Sequence, residues 1–575
     1  MNYKSFLNEV DQHVSTRNAD SLRLFIHEMA RTVPEDSRIK FLSMLKRLCK
    51  DNETITDKKH ADKKVEKTFE KKVDSLITAL QDIQEGRKKL ESECNEDWDD
   101  WYHNDEDEYV FHDPDGIRRD LKKALEVLHQ CLDRANYEKG ALLARSLAQT
   151  KVSVSGDYDD EEMSYSDLVI HKLLSVDIGV MVTESLYLTC MGTNEEDRAE
   201  SMLKVMDDFD YYSVTLDKIL QVGTDEIDLE SLLPLWIKAL ARRPANKTDK
   251  LLTEAQNMLT DKNAVLEMAD NYAESHPVLY LNLLRTGCES VSSEELLRVG
   301  LKGIQNIPVS SMVRSEVALL TAEYALSLKD RQTVEDCWLE AFRSNPSIVN
   351  FLRLRVYSLN WEKYADSARD IYTLYSESKD QMSWHWDRKM LAVLMFFDGR
   401  FDEMVRRFMT PKDGTDSSLL SLCYMDKWIP FQLMLMNVQS NLQQGLSEML
   451  DKLLNTCSFY GKAFCQGTDL NRELSNKDLF LDCFKKWKSD VLLPESTCES
   501  WLAGIDSWIK CYVSDIMEHN ERTLYDNCAA FIAAYGEVLE SRGNSGEKQR
   551  IMEYYKMEYH RRRAFHESLK RFGML

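Results

Sequence analysis

Several residue groups in this sequence begin a reactive pattern and do not complete it. His27-Glu28 opens like the zinc motif H-E-x-x-H, but Arg31 stands where the second ligand belongs. Asp113-Pro114-Asp115-Gly116 opens like a calcium loop and lacks the later ligands and the distal glutamate. Cys457 and Cys465 lie near Tyr460 and Lys462, where a catalytic thiol with a histidine partner and a pair of buried thiols are both open. Phosphate cradles and nucleophile elbows have no counterpart, since G-x-x-x-x-G-K-[ST], G-x-G-x-x-G and G-x-S-x-G are all absent. These patterns name no catalytic residue, no metal ligand, no cofactor and no small-molecule substrate. The expectation is a protein that is not an enzyme.

Binding chemistry is better represented. In residues 96–115, Asp97, Asp99, Asp100, Asp105 and Asp107 interleave with Trp98, Trp101, Tyr102, Tyr109 and Phe111. Such a segment is either a recognition strip for a basic partner, with carboxylates that could loosely hold a cation, or an acidic loop whose aromatics tuck back onto neighbouring helices. Residues 156–162 form a second acidic stretch, read as a solvated loop. Arg561-Arg562-Arg563, with Lys556, Lys570 and Arg571, either touches nucleic acid or an acidic partner, or offsets a helix dipole and pairs with acids of its own body. The candidate partner-binding residues are therefore Trp98, Trp101, Tyr102, Tyr109, Arg561, Arg562 and Arg563.

Helices must position these groups. A chain of 575 residues with only 20 Gly and 10 Pro has too few turn formers for sheet-rich domains, and its length exceeds one compact core. A formal charge of −24 disfavours phosphate binding over most of the surface, leaving room for a local basic patch. Thirteen scattered Cys without C-x-x-C spacing, and a beginning that lacks a signal-like pattern, lead us to expect a reduced, cytoplasmic protein. No run of 18 uncharged apolar residues occurs, so a membrane span is not expected.

The period of apolar residues sets the expected organisation. Residues 1–50 read as an N-terminal helical bundle, and 51–115 as a charged linker, a docking helix over 68–91 and the acidic-aromatic segment. Residues 116–409 read as a helical repeat body, beginning with a hairpin over 121–132 and 137–147. The turn-rich stretch 410–418 reads as a hinge or linker, and 419–575 as a C-terminal helical domain. The clearest unit is 315–346, where Ala318, Ala322 and Ala325 on one helix face Trp338, Ala341 and Phe342 on the next, and Asn345-Pro346 stops the second helix.

Ala322, Trp338, Ala341 and Pro346 sit where the roughly 34-residue tetratricopeptide template wants a small residue, a large one, an alanine and a proline. Ala368 and Tyr372 fall in register in the next period, and the leading aromatic positions are missing. The body thus resembles a degenerate tetratricopeptide-like array, and the expected fold class is all-α, an α-solenoid of degenerate helical hairpins. A second resemblance lies near the end. Tyr525 to Gly543, with Cys528-Ala-Ala-Phe-Ile-Ala-Ala-Tyr535, and Tyr559 to Gly573, with Arg561-Arg-Arg-Ala-Phe565, resemble the helical C-terminal region that follows the finger in bacterial SWIM zinc-finger proteins. That resemblance covers about 80 residues. The finger's C-x-C…C-x-H ligands are absent, so it implies a helical body without finger-mediated zinc or nucleic-acid binding. The expected function is a helical-repeat scaffold or adaptor for a protein partner, with the hinge near 410–418 as the place where it could be regulated. The alternative is a nucleic-acid-associated factor related to SWIM proteins.

Overall fold

The computed structural model describes residues 59–94, 109–156, 162–287, 291–377, 388–404 and 427–575, apart from single positions such as 224 and 226, with isolated positions elsewhere. The bundle expected at 1–50 falls almost wholly outside these residues, and Trp98, Trp101, Tyr102 and the 410–418 hinge do so entirely. The chain is mostly helical and divides into two compact units, Met1–Leu279 and Tyr280–Leu575. Their boundary falls inside the stretch 116–409 that the sequence groups as one body. Among the described residues no helix is long and apolar enough to cross a membrane.

Unit 1 starts with α1 (Lys59–Gln84), whose Phe69, Val73, Leu76, Leu80 and Ile83 are buried at helical spacing. The expected helix over 68–91 ends early. Gly86 turns the chain at φ +66°, and residues from Leu90 onward become a strand. This is β1 (Leu90–Cys94), which pairs antiparallel with β2 (Tyr109–His112) and parallel with β3 (Val152–Gly156); β4 (Glu162–Met163) adds antiparallel to β3. The sheet order is β2-β1-β3-β4. Leu90 and Ser92 are buried while Glu91 and Glu93 face out, the alternation of a half-buried strand in a segment read as helix and linker. The helices α2 (Ile117–Asp133) and α3 (Tyr137–Gln149) form the expected hairpin, parted by Ala135 at φ +52°. They pack with α1 and with α4 (Ile178–Gly192), and α4 in turn with α5 (Arg198–Phe209).

In unit 2, α6 (Ser293–Asn306) packs on α7 (Met312–Ser327), α7 on α8 (Arg331–Ser344), and α8 on α9 (Ile348–Tyr357) and α10 (Glu362–Glu377). Ala318, Ala322 and Ala325 of α7 and Trp338, Ala341 and Phe342 of α8 are all buried, small against large. Asp330 opens α8 by accepting the Thr333 N–H at 3.2 Å. The helix stops before Asn345-Pro346, and Ser347 Oγ then accepts the Asn350 N–H at 3.3 Å to start α9. The following α11 (Arg388–Phe397) packs on α9.

The last third of the chain is built around one helix. The described elements are α12 (Ile429–Met436), α13 (Gln444–Cys457), α14 (Gly461–Cys465), α15 (Asn476–Ser489), α16 (Glu495–Glu518), α17 (Tyr525–Ser541), α18 (Glu547–Glu558) and α19 (Arg563–Arg571). From Cys528 to Val538, α17 is buried on every side, with α12, α13, α16, α18 and α19 around it. A Cβ on Gly445 would lie 2.4 Å from the Ala534 nitrogen, so α13 crosses α17 at backbone contact. Within the helical domain read over 419–575, residues 437–443 part α12 from α13, and 559–562 part α18 from α19.

Candidate binding cleft

In unit 2 a cleft of about 490 Å³ opens beside the α7–α8 hairpin. Ser315 and Leu319 of α7 and the start of α9, Ser347 to Asn350, form one side; Cys457, Ser458, Tyr460 and Ala463 form the other. Its size is that of pockets for small ligands or a few side chains of a peptide. Ser458, in the left-handed region at φ +48°, ends α13 and turns the chain so that Phe459 is buried while Tyr460 stays 65% exposed at the rim.

The cleft is held from behind by a buried arginine. Arg353 lies one turn after Asn350 on α9 and is 0% exposed. Its Nη1 donates to Asn350 Oδ1 at 2.6 Å, its Nε to the Phe464 carbonyl at 3.2 Å, and its Nη2 to the Ala463 carbonyl. The guanidinium fork therefore ties α9 to α14, which is the far side of the cleft. Burial pushes its pKa down to about 9, and it keeps its charge at neutral pH. Asn350, also buried, passes the constraint on, donating from Nδ2 to the Asn345 carbonyl at 2.7 Å and the Ala341 carbonyl at 3.3 Å. Trp338 of the hairpin adds a further tie from Nε1 to the Gly467 carbonyl at 2.9 Å.

Among the described residues, hydroxyls, amides and apolar side chains line the cleft, without histidine, lysine or arginine. Its carboxylate, Glu316, is half-exposed and engaged by Arg285 at 2.9 Å. Such a surface binds by hydrogen bonds and apolar contact. Of the two cysteines singled out in the sequence, Cys457 is buried in the wall, and Cys465 is buried with Sγ 3.8 Å from the Asn471 carbonyl. Burial raises the Cys465 pKa, the direction of an unreactive thiol.

The sequence-derived candidates lie elsewhere. Tyr109 is on β2 in unit 1, where its ring packs edge-on to Tyr158 at 5.2 Å; Phe111 packs on Tyr158 at 5.4 Å and on His171 at 5.0 Å. These two aromatics thus fold back onto their own unit. The neighbouring acids are engaged too. Asp113 accepts the Ile117 N–H at 2.7 Å and the Arg118 N–H at 3.0 Å to start α2, and Asp115 accepts the Lys89 N–H at 3.0 Å. Among the described residues no cluster of three or more ligating side chains could hold a metal. The arginine run in unit 2 is split by its contacts. Arg562 donates to the Met517 carbonyl at 2.7 Å and to Asn520, closing the end of α16, while Arg561 and Arg563 are exposed. Lys570 pairs with Glu567 at 3.0 Å and Arg571 with Asp526 at 2.6 Å. The two stretches that carry the SWIM resemblance pack against each other, with Tyr525 and Phe565 rings 5.7 Å apart.

Sequence reasoning missed the cleft. One usable signal was present, Asn350 and Arg353 three residues apart inside the otherwise apolar Ile348-Val-Asn-Phe-Leu-Arg-Leu354. No protein-family model and no curated protein sequence matches this chain.

Proposed function

We propose that this chain is a non-enzymatic helical scaffold, with hairpins stacked in the manner of tetratricopeptide repeats, whose unit 2 cleft receives a short segment of a partner protein. The carrying observation is the cleft lined by hydroxyls, amides and apolar side chains, its carboxylate engaged by Arg285, and braced from behind by Arg353, because a preformed polar-apolar recess suits extended or helical peptide side chains. Its test is a photo-crosslinking amino acid at position 460 in cells. One polypeptide should be captured, and capture should fail when Gln466→Trp fills the cleft. Capture that ignores Gln466→Trp, or no polypeptide at all, overturns the reading.

The alternative, contact with nucleic acid, rests on the exposure of Arg561 and Arg563. Replacing those two with Glu spares the Arg562 cap. A steeply salt-dependent association with DNA or RNA that this change removes would favour the alternative; no association at low salt would dispose of it.

A further inference from the structure

Unit 1 has its own groove, of about 630 Å³, between α2 and the start of α4. Leu125 and Leu128, one turn apart on α2, give the apolar surface of one side, and Val180 and Met181 of α4, with Val176 from the residues before it, give that of the other. Leu128 and Met181 are buried at its base, whereas Val180 is 53% exposed and Leu125 and Val176 are partly exposed. An apolar floor flanked by two helices is the shape into which an amphipathic helix lays its apolar side.

Charge decides which helix. Among the described residues, Glu126, Asp133, Asp177 and Glu184 line the groove, and no lysine or arginine does. Glu184 is engaged with His129 Nδ1 at 2.9 Å, and one Asp177 oxygen accepts the Val180 N–H at 3.1 Å to open α4. Asp133, at the end of α2, and Glu126 are exposed beside the apolar stripe. The cations of α2, Arg118, Arg119, Lys122 and Lys123, all lie in its first two turns, outside the groove. The groove is therefore a hydrophobic floor with an acidic rim, and an acidic rim both attracts cations and repels carboxylates.

We propose that this groove docks a basic amphipathic helix of a partner protein, with leucine-like side chains on the Leu125–Val180 stripe and lysines or arginines against Glu126 and Asp133. The site belongs to unit 1 alone and does not depend on the cleft of unit 2.

The test uses the full chain and three labelled synthetic peptides, read by fluorescence anisotropy. One is an amphipathic helix of leucine and lysine, one has the same pattern in leucine and glutamate, and one keeps the lysines but replaces leucine with serine. The leucine-lysine peptide should bind at least tenfold more tightly than either other. Val180→Lys, at an exposed position, should weaken it at least tenfold without changing the melting temperature, and Glu126→Gln with Asp133→Asn should weaken it and flatten its salt dependence. Equal binding of the serine-lysine peptide would mean diffuse attraction to a chain of charge −24 and overturn the proposal. Binding indifferent to Val180→Lys would do the same. So would sedimentation showing that the chain pairs with itself through this groove, a dimer abolished by Val180→Lys that the peptide does not compete with.

Discussion

The core behind the unit 2 cleft and the core around α17 each bury a cation, and they satisfy it by different means. Lys548 on α18 has a 7% exposed side chain and donates to Glu537 Oε1 at 2.7 Å; Glu537 is 1% exposed. The same carboxylate accepts the Gly445 N–H at 3.0 Å and the Leu446 N–H at 2.7 Å, so it also closes the start of α13. Arg353 instead lodges among the carbonyls of α14 and the Asn350 amide, and among the described residues no carboxylate bonds to it. The first arrangement is a pair whose members depend on each other. In the second, a planar cation is spread over several dipoles, which the compact lysine ammonium could not span.

The largest effect should come from splitting the pair. Glu537→Leu leaves Lys548 buried without its anion and two amides without an acceptor, a loss of about 3–5 kcal/mol in chemical denaturation. Adding Lys548→Met should recover a good part of it, and a double-mutant cycle without coupling would refute the interdependence. Arg353→Met should cost about 2 kcal/mol through the orphaned carbonyls. Here Arg353→Lys should recover less than half, and loosening of α14 should also reduce capture at position 460. Full recovery by lysine would show that charge alone, and not the fork, holds the cleft.

A third cation sharpens the contrast through pH. Lys488 donates to the Met434 carbonyl at 3.0 Å and to that of Asn437, closing the end of α12. Burial, with Arg542 nearby, lowers its pKa from 10.5 to about 8. The unfolded chain therefore holds this proton more firmly than the folded one. The cost of burying the charge is full below about pH 8 and is relieved as pH rises from 8 towards 10.5. The native protein should accordingly gain on Lys488→Met by about 1 kcal/mol per pH unit across that window, after allowance for partial exposure. A stability difference that stays flat from pH 7.5 to 10 would remove this group from the comparison. The smallest effect concerns thiols. Cys511 is exposed, whereas burial lifts Cys131 and Cys190 to about 11 and Cys337 to about 12, so an alkylating reagent in the native state should label Cys511 well before those three. Mass spectrometry of the labelled peptides would show a different order if the three sites open readily.

Much of the helical layout was readable in advance because its causes are local. Ala318, Ala322 and Ala325 against Trp338, Ala341 and Phe342, the stop at Asn345-Pro346 and the break near Asn136 all follow from periodicity and caps within a few residues. The same local logic hid the sheet, since Leu90-Glu-Ser-Glu-Cys94 is too short to display its alternation, and it becomes a strand only when Leu90 meets Val154. It left Tyr109 and Arg562 with two readings each, and only the fold placed Tyr109 against the ring of Tyr158 and Arg562 on the carbonyl of Met517. It could not show the cleft at all, because Arg353 is an anomaly in an apolar helix until the Ala463 and Phe464 carbonyls, more than a hundred residues later, surround it. The sequence by itself determined that the chain is mostly helical and where hairpins such as 315–346 turn, because hydrogen bonds and side-chain stripes within a helix span only a few residues. Tertiary structure alone decided where the buried charges find their partners, because a polar group taken out of water is satisfied by whatever the fold brings to it, at any distance along the chain.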